Sequence, residues 1–270
     1  MVDGERWTYR YSALVRVAHW VNVACVAILL MSGLQIFNAH PALYLGEDSD
    51  FERPILAIST VFTPEGRPIG VTRLFGRSFE TTGVLGRSRF NERPVQRAFP
   101  AWITIPPGQD LATGRVWHFF FAWLFVINGV VYVGASLLSR HLWRDLLPSR
   151  KQLRRIGRSI LDHLSLRFDH GRDYNVLQKL TYLAMILVVL PLIVLAGMVM
   201  SPGLDAAFPW LVDLLAGRQT AHTIHFIAAT AIVLFVLIHV AMVLVSGFWN
   251  NMRSMITGRY AIDTKAGDEQ

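Results

Sequence analysis

Cysteine is almost absent from this sequence, since Cys25 is the single one among 270 residues. One cysteine excludes an intrachain disulfide, the two-cysteine attachment motif of c-type haem and a cysteine-bound iron–sulfur cluster. Cys25 lies in a long apolar stretch, where packing is its expected role.

Charged residues are also scarce, at 17% of the chain against 53% apolar residues. A helix needs about 20 mostly apolar residues to cross a bilayer, because lipid cannot satisfy free backbone groups. Four stretches reach that length, at about residues 17–37, 116–138, 176–200 and 221–247. We therefore predict one membrane domain over residues 1–270, an all-α protein with a bundle of four transmembrane helices.

A cleavable signal peptide is not expected, because the chain opens with about sixteen polar or mixed residues before its first apolar run. The net charge of +7 is concentrated in one short connection, where residues 140–179 hold ten Lys/Arg and four Asp/Glu. By the positive-inside rule, this connection and both termini are predicted to be cytoplasmic. The basic residues therefore need no nucleic acid.

The predicted outer connection, residues 38–115, is too long for a simple turn and is rich in Pro, Gly and Arg. Its many apolar side chains favour an ordered cap over a flexible insertion. The inner connection, residues 139–175, is predicted to hold a short basic helix over residues 141–165, lying on the inner leaflet. Residues 203–217 are predicted to be an interfacial segment.

Histidine occurs repeatedly in the predicted spans, where ionisable groups are rare because they are costly there. The first span holds His19 near its inner end and the second holds His118 near its outer end. The fourth span carries His225 and His239, whose 14-residue spacing leaves them on nearly one helix face, about 21 Å apart along the axis.

The alternation of spans puts His118 and His225 at the outer level and His19 and His239 at the inner level. Two neutral imidazoles on facing helices are the axial ligands that a six-coordinate haem iron needs. His222 competes for the outer site but is turned about 100° from the face that His239 shares. For any single histidine, a hydrogen bond to a neighbouring helix is the alternative role.

Other residues beside these levels have two interpretations each. Arg16, Arg115 and Arg218 either pair with haem propionates or anchor helix ends at the interface. Gly129 either lets a flat macrocycle approach or allows close helix packing.

These residues resemble the bacterial cytochrome b561 family, which includes the b-type membrane subunits of formate dehydrogenase and nickel–iron hydrogenase. The resemblance rests on Arg16-Val17-Ala18-His19-Trp20 at the first span, Trp117-His118 at the second, and His225 with His239 on the fourth. It covers all four spans. It implies two haem b groups, with His19 and His239 as ligands of the inner haem and His118 and His225 as ligands of the outer haem.

The resemblance also implies a quinone site. The segment Tyr174–Lys179 is similar to the quinone-binding segment of formate dehydrogenase membrane subunits, which assigns Asn175 and, less directly, Gln178 to the quinone. Helix capping and interfacial solvation are the alternative roles of these two residues. The outer connection is much longer than in those subunits and is similar to thiosulfate-reductase-type cytochrome b, sometimes encoded beside periplasmic molybdopterin oxidoreductases.

The predicted function is electron transfer between the quinone pool and a periplasmic redox partner, which the resemblance indicates to be a molybdopterin oxidoreductase. The chain would be a respiratory electron-transfer subunit rather than a complete enzyme. The alternative is a haem-free transporter or sensor in which the histidines relay protons.

Overall fold

The structure, a computed structural model, describes residues 5–139, 147–154, 156–157 and 176–263. In chain order, the described helices are α1 Ala13–Phe37, α2 Leu111–Leu138, α3 Arg150–Leu153, α4 Val176–Met200, α5 Pro202–Ala207, α6 Trp210–Leu214, α7 Arg218–Val245 and α8 Phe248–Thr257. The described strands are β1 Glu5–Tyr9, β2 Ala42–Leu43, β3 Leu56–Phe62, β4 Pro68–Leu74, β5 Arg77–Glu80, β6 Arg87–Phe90, β7 Arg93–Gln96 and β8 Arg259–Asp263.

Among the described helices, α1, α2, α4 and α7 are long and apolar enough to cross a membrane. They confirm the four predicted spans. Both α1 and α2 begin a few residues before the predicted starts, at Ala13 and Leu111. Only 11–22% of the residues in their most apolar windows are buried within the chain, as expected for helices whose surfaces face lipid.

The chain forms two compact units. Unit 1 comprises Met1–Asn22, Ile127–Leu190 and Thr230–Gln270, and unit 2 comprises Val23–Val126 and Pro191–Ala229. His19 and His239 therefore belong to unit 1, and His118 and His225 to unit 2.

The connection between α1 and α2 folds into β-structure within unit 2. Strands β2, β3, β4 and β5 form a four-stranded antiparallel sheet in that order, and β6 pairs with β7. In the sheet Ile58 pairs with Thr72, and Ile58 is buried beside Phe37 and Leu43. This packing attaches the sheet to the end of α1.

The prediction of an all-α protein is wrong for this connection. The structure describes strands throughout residues 42–96, and the position of this connection outside the membrane stays a prediction. The strands are four to seven residues long apart from β2, and their hairpins lack the Asn-Gly or Asp-Gly turns that reveal a hairpin in a sequence. Phe75 and Gly76 join β4 to β5, and Asn91 and Glu92 join β6 to β7, all four with positive φ.

Asp110 starts α2 as its N-cap. Its carboxylate accepts hydrogen bonds from the backbone N–H of Thr113 at 3.0 Å and from the Thr113 hydroxyl at 2.6 Å. These bonds satisfy a free N–H group of the first helical turn and favour the ionised acid. The hydrogen bonds from Thr113 lower the pKa of Asp110.

In unit 1, the N-terminal and C-terminal segments pair as β1 and β8, with Trp7 opposite Ala261. The helix α8 precedes β8, and its Asn250 side chain binds both the N–H and the C=O of Ala261, at 3.0 and 2.8 Å. Gly258, with a φ of +82°, ends α8, and a Cβ there would lie 2.6 Å from the Tyr9 ring. Glycine is therefore required at this turn.

The helix α4 contains a π-helical turn, Met185–Val189, which ends two residues before Pro191. Proline has no N–H to give to the carbonyl four residues earlier, and a wider turn accommodates that loss inside an apolar helix. The predicted interfacial segment after α4 consists of the two short helices α5 and α6. Most of the predicted basic helix at 141–165 lies outside the described residues, apart from α3.

Candidate functional site

The rings of His118 on α2 and His225 on α7 face each other in unit 2. Their centres are 6.2 Å apart, and the ring planes are inclined by 60°. Both side chains are only partly exposed. The two helices thus bring together two imidazoles that the sequence separates by more than one hundred residues.

Each of these two rings lies against a helix glycine. A Cβ on Gly33 of α1 would be 3.3 Å from Cε1 of His118, and a Cβ on Gly197 of α4 would be 3.3 Å from Cε1 of His225. Both distances are shorter than an ordinary van der Waals contact. The absence of a side chain therefore lets each imidazole approach the backbone of the neighbouring helix.

The Nδ1 atoms of both rings have oxygen partners on those same helices. Nδ1 of His118 is 3.1 Å from the Ser32 hydroxyl, and Nδ1 of His225 is 2.9 Å from the Ile193 carbonyl. A carbonyl only accepts, so Nδ1 of His225 carries the proton and Nε2 keeps its lone pair. Such a bond fixes the ring orientation of a metal-binding histidine.

His19 on α1 and His239 on α7 form the second pair, in unit 1. Their ring centres are 6.3 Å apart, with planes inclined by 61°. Trp20 contacts His19 at 5.4 Å between ring centres, and Phe235 stacks on His239 at 5.7 Å. Aromatic side chains therefore contact the His19–His239 pair, whereas a hydroxyl and a carbonyl contact the His118–His225 pair.

The donor geometry of each pair fits a metal bound between two imidazoles. Metal–nitrogen bonds of about 2.0–2.1 Å, with about 1.1 Å from nitrogen to ring centre, separate two opposed rings by about 6.3 Å. Among the described residues, no group of three or more His, Cys, Asp or Glu side chains is arranged to hold a metal ion. Two protein donors suffice for haem, since the porphyrin supplies the other ligands, whereas zinc needs three or four.

His222 is not part of either pair. Its ring lies 5.8 Å from that of Phe37, whereas His118 faces His225. This arrangement agrees with the helical spacing that favoured His225. Among the described residues, no atom lies within 4 Å of a Cβ built on Gly129.

The predicted arginines lie near the histidines in sequence, but their contacts differ. Arg16 donates from Nη1 to the Ile256 carbonyl, and its buried Nε has no partner among the described residues. Arg115 is exposed and lies over the Phe119 ring at 5.8 Å. Neither contact tests a bond to a propionate, so that role stays a prediction.

The two residues predicted to contact a quinone are only partly described. Asn175 lies outside the described residues. Gln178 lies in the first turn of α4 and is partly buried. Their predicted role is untested.

Sequence reasoning missed Ser32, Gly33 and Gly197. A signal was present for Gly33, which follows His19 by 14 residues, the same spacing that separates His225 from His239. Gly197 and Ser32 carried no comparable signal, because a lone small residue in an apolar helix has several ordinary explanations.

Comparison with known proteins identifies the family of the chain. Residues 10–258 match the family model of prokaryotic cytochrome b561. The chain belongs to the prokaryotic cytochrome b561 family. Among curated proteins, it is 31% identical over 231 residues to the putative protein-methionine-sulfoxide reductase subunit YedZ1 of Azospira oryzae, covering 85% of this chain and 87% of that protein. No solved structure matches the chain.

As a member of the cytochrome b561 family, the protein is a b-type cytochrome, a multi-pass membrane protein that transfers electrons. Family membership implies b-type haem.

Proposed function

We propose that the protein is a dihaem cytochrome that carries electrons between the quinone pool and a periplasmic oxidoreductase. The observation that carries the proposal is the presence of two histidine pairs with nearly equal ring separations, 6.2 and 6.3 Å. A single haem would account for one histidine pair and leave the other without a ligand. Histidine pairs at membrane depth are costly without a ligand or a counter-ion.

The residues of each pair would act by holding and orienting haem. Bound haem supplies an iron that gains and loses one electron. Ser32 and Ile193 bind Nδ1 of His118 and His225, and these bonds would fix the orientation of each ring. Gly33 and Gly197 let those rings fit against their helices. Trp20 and Phe235 lie against the rings of His19 and His239.

A quinone would react near His19 and His239. This part of the proposal rests on the resemblance of Tyr174–Lys179 to the quinone-binding segment of formate dehydrogenase membrane subunits. Asn175 and Gln178 would donate hydrogen bonds to the carbonyl oxygens of the quinone as these gain electrons and protons. With that end of the helices at the cytoplasmic face, quinone chemistry would be coupled to the membrane potential.

The partner is proposed to be a periplasmic molybdopterin oxidoreductase. The similar YedZ1 protein is named as a subunit of a putative protein-methionine-sulfoxide reductase, which supports the assembly of this chain with a reductase. The ordered β-structure between α1 and α2 offers a surface of at least four paired strands for such a partner.

Removing one histidine from each pair tests the number of haems. We expect His118→Ala and His239→Ala each to lose about half of the haem. A haem that is held by two imidazoles should be bound far more weakly when one of them is removed. The measurement is haem per polypeptide by pyridine haemochromogen absorbance. The matched control is His222→Ala, which removes a histidine one turn from His225 and should retain both haems.

Full haem content in both variants would contradict the assignment. A purified wild-type protein without any b-type absorption would instead favour the haem-free transporter or sensor, in which the histidines relay protons.

A further inference from the structure

Arg97 is a buried cation in unit 2, with 4% of its surface exposed. Its guanidinium donates to four acceptors: the Phe99 carbonyl at 2.6 Å, the Pro107 carbonyl at 2.6 Å, the Gln35 side-chain oxygen at 3.2 Å and the Thr104 hydroxyl at 2.8 Å. Its hydrogen bonds are therefore well satisfied.

None of these acceptors carries a negative charge. Among the described residues, the ion pair observed is the exposed one between Arg53 and Asp50, and no described carboxylate lies within 4.0 Å of Arg97. Burial lowers the pKa of Arg97, but arginine stays charged in proteins. A buried charge without a counter-ion acts over a longer range than an exposed one, because little water screens it.

The Arg97 charge is connected to the His118–His225 pair through Gln35. Gln35 is completely buried on α1, three residues or about 4.5 Å along the helix from Ser32, which contacts His118. It also packs on Gly114, one turn before His118 on α2, where a Cβ would lie 2.9 Å from Gln35 Cγ. The charge of Arg97 is thus separated from His118 by the Gln35 side chain and one helical turn.

We propose that the buried, unpaired charge of Arg97 raises the reduction potential of the haem held by His118 and His225. Reduction adds one electron to the haem, and a nearby positive charge stabilises the reduced form relative to the oxidised form. The inference rests on the proposed function, since it requires haem at this pair. In this proposal Arg97 acts through its charge, which favours the reduced form of this haem.

Two variants remove the effect of the charge by different routes. Arg97→Gln deletes the cation, and Gln35→Glu places a carboxylate beside it while keeping Arg97 and its other bonds. We expect each to lower the midpoint potential of this haem by 59 mV or more, a tenfold change in the ratio of reduced to oxidised haem for one electron. The measurement is a potentiometric titration followed by haem absorbance. It is made in the whole protein and in His239→Ala, which should keep the haem at His118 and His225 alone.

Two further variants separate charge from structure. Arg97→Lys keeps the charge and should keep the potential close to the wild-type value, although it loses part of the hydrogen-bond network. Arg89→Gln removes an exposed arginine of β6 and should change nothing, because water screens that charge.

An unchanged potential in Gln35→Glu with haem bound would overturn the inference, as would an equal fall in Arg97→Lys and Arg97→Gln. If Arg97→Gln fails to fold, the Gln35→Glu variant still decides. A wild-type protein with no haem at His118 and His225 would overturn the proposed function itself, and haem stoichiometry reveals that outcome separately.

Discussion

The rings of His118 and His225 share one local arrangement. Each ring lies against a helix glycine, and Nδ1 has an oxygen partner within four residues before that glycine, Ser32 before Gly33 and Ile193 before Gly197. Two helices of different sequence, α1 and α4, therefore each offer a glycine and an oxygen partner to an imidazole. This repetition indicates that the ring orientation, and not only the presence of histidine, is determined by the fold.

Filling one glycine tests the importance of that orientation. Gly197→Val would place its Cβ 3.3 Å from the His225 ring and add two more carbons, which we expect to cost about 1–3 kcal/mol in overpacking. The displaced ring should weaken or lose the haem at this pair, leaving the other haem bound. Electron paramagnetic resonance of the oxidised protein would report the change at each haem.

The matched control is Gly134→Val on α2, where a Cβ meets no atom of the described part of the chain within 4 Å. Equal haem loss in both variants would show that a bulky residue in any span is harmful, and would contradict the proposed role of Gly197.

The histidine pairs could be predicted from the sequence, whereas their surroundings could not. The regular helix converts the spacing of His225 and His239 into a shared face, so sequence position determines depth and direction. Arg97 shows the limit of that reasoning, because its four acceptors come from α1 and from three places in an irregular segment. No periodic pattern relates those positions.

Among the elements, the spans were predictable and the strands were not. A span requires only length and apolarity, and the four helices satisfy both. The strands of the connection between α1 and α2 follow no clear alternation, as the burial of β5 illustrates, where all four residues are exposed. Their hairpin turns contain Phe75 and Glu92 with positive φ, residues that seldom signal such a turn.

The β4–β5 hairpin is expected to be more stable with asparagine at its tip. Phe75 has a φ of +48° and is 77% exposed, so its side chain gains little packing in a conformation that costs about 1–2 kcal/mol for most residues. Phe75→Asn should relieve about 1 kcal/mol of that cost, because asparagine tolerates this region better. Hydrogen exchange of the β4 and β5 amides should then slow by about fivefold, since 1.4 kcal/mol corresponds to tenfold.

Phe79→Asn provides the contrast, because Phe79 lies within β5 opposite Thr72 and is 52% exposed. Asparagine is unfavourable in a strand, so exchange there should become faster. Slower exchange in both variants would indicate that removing an exposed phenylalanine, rather than relieving the backbone, stabilises the hairpin.

For the whole molecule, the charge distribution predicts the orientation in the membrane. Residues 140–179 carry ten basic and four acidic residues in a short connection between two spans. From the positive-inside rule, we expect this connection to be cytoplasmic. The residues 38–110, with their strands, would then face the periplasm, where a soluble redox partner can reach them. In the proposed function, this orientation would determine which histidine pair exchanges electrons with quinone near the cytoplasmic face.

Cysteine labelling tests that orientation in intact cells. Ser149 and Ser78 are both exposed, and the native Cys25 is fully buried, so background labelling by a membrane-impermeant maleimide should be low. We expect Ser78→Cys to react in intact cells and Ser149→Cys to react only after permeabilisation. Ser149 caps the short helix α3 through a hydrogen bond from the Gln152 N–H, so its replacement should disturb that helix alone, by about 1 kcal/mol. The opposite labelling pattern would put the β-structure in the cytoplasm, and His118 and His225 would then hold the haem nearer the cytoplasmic face.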